Sequence, residues 1–213
     1  MPDTLRPAGK VILLNGASSS GKSSLARAIQ ARIEEPFWHI SIDHLRDSGV
    51  LPTARIRSGE FPWSAMRDAF FEGFEQSLLA YVRCGNNLVV EHIMESRDWL
   101  LRLVRLLAGQ DVFFVGLHCD LAELERREIA RGDRRIGDAR RDFHQIHSYC
   151  RYDAELDSAI APEANADKLI AAWHARTKPS AFQGLLAEAS RPPDQALSMN
   201  LARFSSVERK PAS

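Results

Sequence analysis

Residues Gly16-Ala17-Ser18-Ser19-Ser20-Gly21-Lys22-Ser23 place two glycines, a lysine and a hydroxyl at the spacing G-x-x-x-x-G-K-[ST]. In such a loop the glycines let consecutive backbone N–H groups turn inward as an anion nest. A helix starting near Lys22 adds its positive N-terminal end. Lys22 has the reach for the β- and γ-phosphates of a nucleoside triphosphate, and the Ser23 hydroxyl suits Mg²⁺. The expected nucleotide-binding residues are thus Gly16, Ala17, Ser18, Ser19, Ser20, Gly21, Lys22, Ser23 and Ser24. A Ser/Gly-rich loop without a ligand is the plainer alternative. The apolar run Val11-Ile12-Leu13-Leu14 before it, and Leu25, Ala26, Ile29 and Ile33 at helical spacing after it, weigh against that.

Other residues must supply the rest of a reaction. Asp43 ends an expected strand, and carboxyl ends of parallel strands line the ligand crevice. There it can orient an acceptor hydroxyl and take its proton; capping the helix that starts at His44 is the competing role. Glu91 ends the apolar stretch Asn87–Glu91 and suits a Mg²⁺ shell better than Glu95, for which a helix-start role is favoured. His92 reads as a satisfied polar neighbour. The segment 126–142 carries seven arginines among four acids, punctuated by Gly132 and Gly137. It reads as a lid in which Arg127, Arg131 and Arg134 meet phosphate, or as a solvated helix laced with ion pairs. Trp63, Met66, Phe70, Phe71 and Phe74 form an aromatic face, chiefly core, from which part of an acceptor pocket can be drawn.

These residues need a scaffold. Strand-like and helix-like segments alternate: strands over 11–15, 38–42, 87–91, 111–119 and 155–159, with helices over 22–34, 63–83, 96–108, 121–131, on to about 149, and 165–176. The pattern predicts an α/β fold, a parallel five-stranded sheet wrapped by helices. Residues 1–178 form the expected phosphate-loop domain, with 44–83 shaping the acceptor site and 44–61 irregular. Residues 179–213, rich in proline, read as a mobile or loosely packed tail in which 181–189 has room for one or two helical turns.

Composition narrows the partners. Lys plus Arg equals Asp plus Glu at 28 each, so no basic excess advertises nucleic-acid binding. Neither a secretory signal nor a membrane span is expected. Cys84, Cys119 and Cys150 lack C-x-x-C spacing and read as reduced thiols of a cytoplasmic protein, with Cys119 a buried small hydrophobe.

Four stretches together resemble the chloramphenicol phosphotransferase family of P-loop kinases: VILLNGASSSGKSSLAR with Asn15, SIDHL with Asp43, VGLHCD with RREIARGDRRIGDA, and HSYCRYDAELDSA. The last holds His147, Tyr152, Asp153, Glu155 and Asp157, in a run that the resemblance places near the adenine end. It spans about residues 10–176. The resemblance implies a three-layer α/β/α kinase with an Arg-rich lid, using ATP and Mg²⁺ to phosphorylate a small-molecule hydroxyl. It also implies Asp43 as general base, with Lys22, Arg131 and Arg134 in catalysis, Arg127 on phosphate, and Ser23 with Glu91 on the metal. Glu91-His92 replaces the acidic pair expected after the third strand, and 44–83 matches poorly. Rival readings are a kinase of a nucleotide sugar, as zeta-type toxins are, or of a polynucleotide 5′-hydroxyl, and a nucleotide-binding regulatory module with no acceptor.

Overall fold

The computed structural model describes residues 7–132 and 136–189. Five parallel strands form one sheet in the order β2-β3-β1-β4-β5: β1 Lys10–Asn15, β2 Phe37–Ser41, β3 Asn87–His92, β4 Asp111–His118 and β5 Ala154–Asp157. β1, the most apolar segment near the N-terminus, takes the centre. There both faces must be covered, which is why its sequence does not alternate with polar residues.

Alternation within β1 divides the interior. Val11 and Leu13 point into a cluster with Phe74, Leu78 and Val82 of α4 (Trp63–Arg83), Leu100 and Val104 of α5 (Arg97–Leu106), and Phe182 of α9 (Ala181–Ala189). Ile12 and Leu14 point the other way, onto Leu25 and Ile29 of α1 (Lys22–Gln30) and Trp173 of α8 (Pro162–His174). Two helical layers thus sandwich the sheet, as the alternating sequence predicts. Trp173 fills the second layer edge-on to Phe37 and Phe113, with ring centroids 5.8 and 5.7 Å away.

Strand register sets the site. Leu14 pairs with Glu91, Asn15 with His92, and Ser41 with Glu91. Ser41, Glu91, His92 and the start of the glycine loop therefore share one carboxyl edge. Asn15 braces it: its Nδ2 donates to the Ile146 carbonyl at 3.0 Å and the Tyr152 oxygen at 2.7 Å, and its Oδ1 accepts from Met94 N–H at 3.0 Å.

Two expectations need correction. Residues 44–61 are not irregular throughout, because α2 (Ile42–Asp47) and α3 (Thr53–Arg57) lie there. Neither helix has a fully buried residue, so no apolar periodicity announced them. Nor does the chain trail loosely from Lys178: the helical turns for which 181–189 had room form α9, which packs on β4 and α5, burying Phe182 and Leu185, and Ala181 N–H donates to Asp153 at 2.7 Å. The expectation for 190–213 falls outside the described residues. Among the described residues no helix is long and apolar enough to cross a membrane.

Candidate active site

Gly21 sits at φ +96°, a left-handed conformation that glycine adopts without strain, and opens α1 directly into Lys22. A Cβ on Gly16 would lie 2.8 Å from both the Leu117 carbonyl and Ser20 Oγ, so the cradle closes only around a glycine. Lys22 Nζ donates to the Gly16 and Ala17 carbonyls at 2.7 and 2.8 Å. Among the described residues the buried hydroxyls of Ser19 and Ser20 have no hydrogen-bond partner, as donors provided for an anion would. The loop fits a triphosphate on these grounds.

Ser23 Oγ donates to Glu91 Oε2 at 2.8 Å, bringing together two residues expected to serve the metal. His39 donates to the other Glu91 oxygen. Burial pushes the Glu91 carboxyl upward, but the His39 hydrogen bond, the Lys22 charge and the Ser23 hydroxyl outweigh it. The net position is below the usual carboxylate range, so Glu91 stays ionised. A carboxylate and a hydroxyl form a hard oxygen pair suited to Mg²⁺, which binds through few protein ligands plus phosphate oxygens. Among the described residues no group of three or more His, Cys, Asp or Glu side chains is disposed to hold a metal ion.

Two cavities flank this edge. One, of about 620 Å³, is lined by Ser19–Ser24, Arg27, Glu91 and, from α6 (Leu121–Arg131), Arg126, Arg127 and Arg131. Gly16, Ala17 and Ser18 do not line it, although all three were expected to bind nucleotide. The first two carry the carbonyls that hold Lys22, and Ser18 faces the other side. The second cavity, of about 720 Å³, is lined by Trp63, Phe70 and Phe71 of α4, by Arg46, Arg57, Arg67 and Arg141, and by several carboxylates. Asp43 lines both.

Asp43 does not cap α2. Ser41 takes that role, its Oγ accepting from Asp43 N–H at 3.2 Å, while the Asp43 carboxylate pairs with Arg46 at 3.0 Å. The helix thus leaves the carboxylate at the wall common to both cavities. The aromatic face divides along α4. Phe74 is core, whereas Trp63, Phe70 and Phe71 face the cavity.

Arg127 reaches from α6 toward the Ser20 carbonyl at 3.3 Å while bonded to Glu123 at 2.6 Å. Arg131 lines the nucleotide-side cavity, and Arg134 lies outside the described residues. Ion pairs of the solvated kind bind Arg126 to Glu123 and Arg140 to Glu125. Glu95 pairs with Arg67 at 2.6 Å ahead of α5, whose cap is Ser96 as expected. His92 is buried, 3.7 Å from the Glu75 carboxylate that Arg102 holds at 2.8 and 2.9 Å.

Of the run implied near the adenine end, His147 and Asp157 line a smaller cavity beside Ala17, and other members make structural contacts. Asp153 accepts from Phe114 N–H at 2.7 Å, and Tyr152 sits between Asn15 and His147. Sequence reasoning missed Asp142 and Arg141 of α7 (Asp138–Gln145), which line the second cavity. Both lie in a charged string with no local sign of what they would meet.

Comparisons with known proteins agree with this arrangement. Two Mycobacterium tuberculosis proteins, from different strains and named candidate O-phosphotransferases, are 33% identical to this chain over 201 residues, covering 84% of it and 88% of theirs. Among solved structures, the Mycobacterium tuberculosis APS kinase in complex with AMPPNP and APS superposes with a TM-score of 0.61 at 20% identity, covering 79% of this chain and 99% of the kinase. A gluconokinase from Sinorhizobium meliloti gives 0.55 at 20% identity, covering 80% and 94%. At those identities the likeness establishes the fold. Residues 9–174 match the family described as chloramphenicol phosphotransferase-like protein. A phosphate cradle beside a second, aromatic cavity, and a family match across most of the chain, lead to one conclusion: this protein belongs to the chloramphenicol phosphotransferase-like family and is a phosphotransferase of the P-loop kinase fold.

Proposed function

We propose that this enzyme transfers the γ-phosphate of ATP to a hydroxyl of a small molecule, with Mg²⁺ as cofactor and Asp43 as general base. The observation that carries the reading is the position of Asp43, shared by the phosphate-loop cavity and the aromatic cavity. A carboxylate at that wall can accept an acceptor proton only a short distance from the terminal phosphate. As the acceptor oxygen bonds to the γ-phosphorus, its proton passes to Asp43. The bond from that phosphorus to the bridging oxygen breaks, and ADP leaves with the electron pair.

Lys22 and the loop amides hold the phosphates, and Arg127 and Arg131 add positive charge from α6. Arg134 is assigned a similar part from the lid. Ser23 and Glu91 would hold Mg²⁺, which when bound offsets charge on the phosphate oxygens. Positioning supplies most of the rate, since phosphoryl transfer asks for little covalent chemistry. The aromatic trio Trp63, Phe70 and Phe71 suits the apolar body of an acceptor such as chloramphenicol. The O-phosphotransferase name of the mycobacterial relatives and the AMPPNP bound to the APS kinase support hydroxyl transfer and ATP use. ATP use and three free cysteines suit a cytoplasmic setting.

The test is a panel of hydroxylated compounds, chloramphenicol included, incubated with ATP, Mg²⁺ and the enzyme and read by mass. The expected result is a gain of one phosphoryl group on a small alcohol. Nucleotide binding with no phosphorylated product across the panel would overturn the reading in favour of a regulatory module. Transfer confined to polynucleotide 5′-ends, and falling steeply with salt, would overturn the small-molecule acceptor.

A further inference from the structure

Asp142 is buried and meets the phosphate loop across 124 residues of sequence: its Oδ2 accepts from the Ser18 backbone N–H at 3.1 Å. Its Oδ1 accepts from Arg141 Nη2 at 2.9 Å, and Arg141 Nη1 donates to Asp138 at 2.9 Å. Asp138, Arg141, Asp142 and Ser18 all line the aromatic, acceptor-side cavity.

The helix that carries Asp142 is itself fixed. The buried Glu128 carboxylate accepts from Gly137 N–H at 2.8 Å and Ala139 N–H at 2.9 Å, capping α7 from α6. Ala139 and Ile146 pack with Ala17 in a small core, and the Ile146 carbonyl is held by Asn15. Asp142 thus presses on the loop from a stationary support.

The loop needs such a restraint. Ser19, immediately after Ser18, has φ +65°, a conformation costly for any residue but glycine and kept only where its surroundings impose it. A carboxylate oxygen accepting the Ser18 N–H fixes the peptide just before that strained residue. The bond is made on the acceptor side, where Ser18 lines the aromatic cavity, while Ser19 and Ser20, next in the chain, line the phosphate-side one.

We propose that Asp142 is a positioning residue for nucleotide binding: from the acceptor side it locks the Ser18 peptide and so holds Ser19 and Ser20 in their gripping conformation. This rests on the reading of the loop as a nucleotide site. Binding of AMPPNP to the full chain, with thermal melting alongside, tests it without knowledge of the acceptor. Asp142→Ala is expected to weaken AMPPNP binding about tenfold or more, the scale of a hydrogen bond to a charged group. Asp142→Asn keeps an oxygen for the Ser18 N–H and is expected to stay within about threefold of wild type. Arg140→Ala, which removes a surface pair with Glu125, is expected to change nothing. Wild-type affinity in Asp142→Ala would overturn the proposal, as would an equal loss in Asp142→Asn.

Should Asp142→Ala not fold, amide hydrogen exchange on the wild-type chain gives the answer. Ser18 is expected to be protected like the β1 amides, and exchange at the rate of an open loop would overturn the lock. Absence of AMPPNP binding by the wild type would instead strike the nucleotide reading itself, leaving the exchange measurement to judge the lock.

Discussion

The two cavities that meet at Asp43 are built differently. The nucleotide side rests on β1, β3 and α1, with Lys22 and Glu91 buried, Lys22 held by the Gly16 and Ala17 carbonyls and Glu91 by Ser23 and His39. The acceptor side is walled by α2 and α3, which bury no residue fully, and by the first turns of α4. Three of its arginines are closed on carboxylates: Arg46 on Asp43 and Asp47, Arg67 on Glu95, and Arg141 on Asp138 and Asp142. Charge for a fixed, invariant ligand is set in a rigid frame. The α2 and α3 part of the acceptor wall stands on lightly anchored elements, as suits a surface adapted to a particular guest, whereas α7, which also lines it, is pinned by Glu128.

Substitutions on the two sides should therefore separate. The largest effect belongs to Lys22→Met, expected to lower kcat about a thousandfold by removing a charge aimed at the transferring group; loss of less than tenfold would break the assignment. Next, Trp63→Ala is expected to raise the acceptor KM about tenfold while the ATP KM stays within a factor of two, measured by steady-state kinetics. A rise in both would mean the cavities are not separate. On the same helix, Phe74→Ala should act on the fold alone, costing about 3–5 kcal/mol in chemical denaturation because its ring is fully buried.

The smallest effect is on acid stability. Burial, with the His118 and Lys22 charges, pushes His147 down to about 4 from an ordinary 6.5. Between those values the unfolded chain binds more protons, so His147's contribution is complete above about pH 6.5 and is lost as pH falls toward 4. His147→Gln should flatten that part of a melting-temperature profile, and an unchanged profile would exclude His147 as its source.

Legibility in the sequence follows the same division. The glycine loop, the central strands and Ser96 as a cap are local patterns, and each stands where its spacing predicts. The place of Glu91 at the strand edge beside the loop was readable from the apolar run that it ends, and Ser23 lies against it. α3 was not readable, and α2 only as the alternative in which Asp43 caps a helix from His44, since helices without a buried stripe leave no periodic trace. Asp142 was hidden among the arginines of 126–142, because its partner is a backbone amide that any residue but proline supplies. The split of α4 between core and cavity was half visible: spacing marks a face, but not where the neighbouring layer ends.

The most direct test is Asp43→Asn, assayed for AMPPNP affinity and for single-turnover transfer to the acceptor found by mass. The account predicts nucleotide affinity within about twofold of wild type and transfer slowed about a hundredfold or more, the scale of a lost general base. Transfer at the wild-type rate in that variant would contradict it.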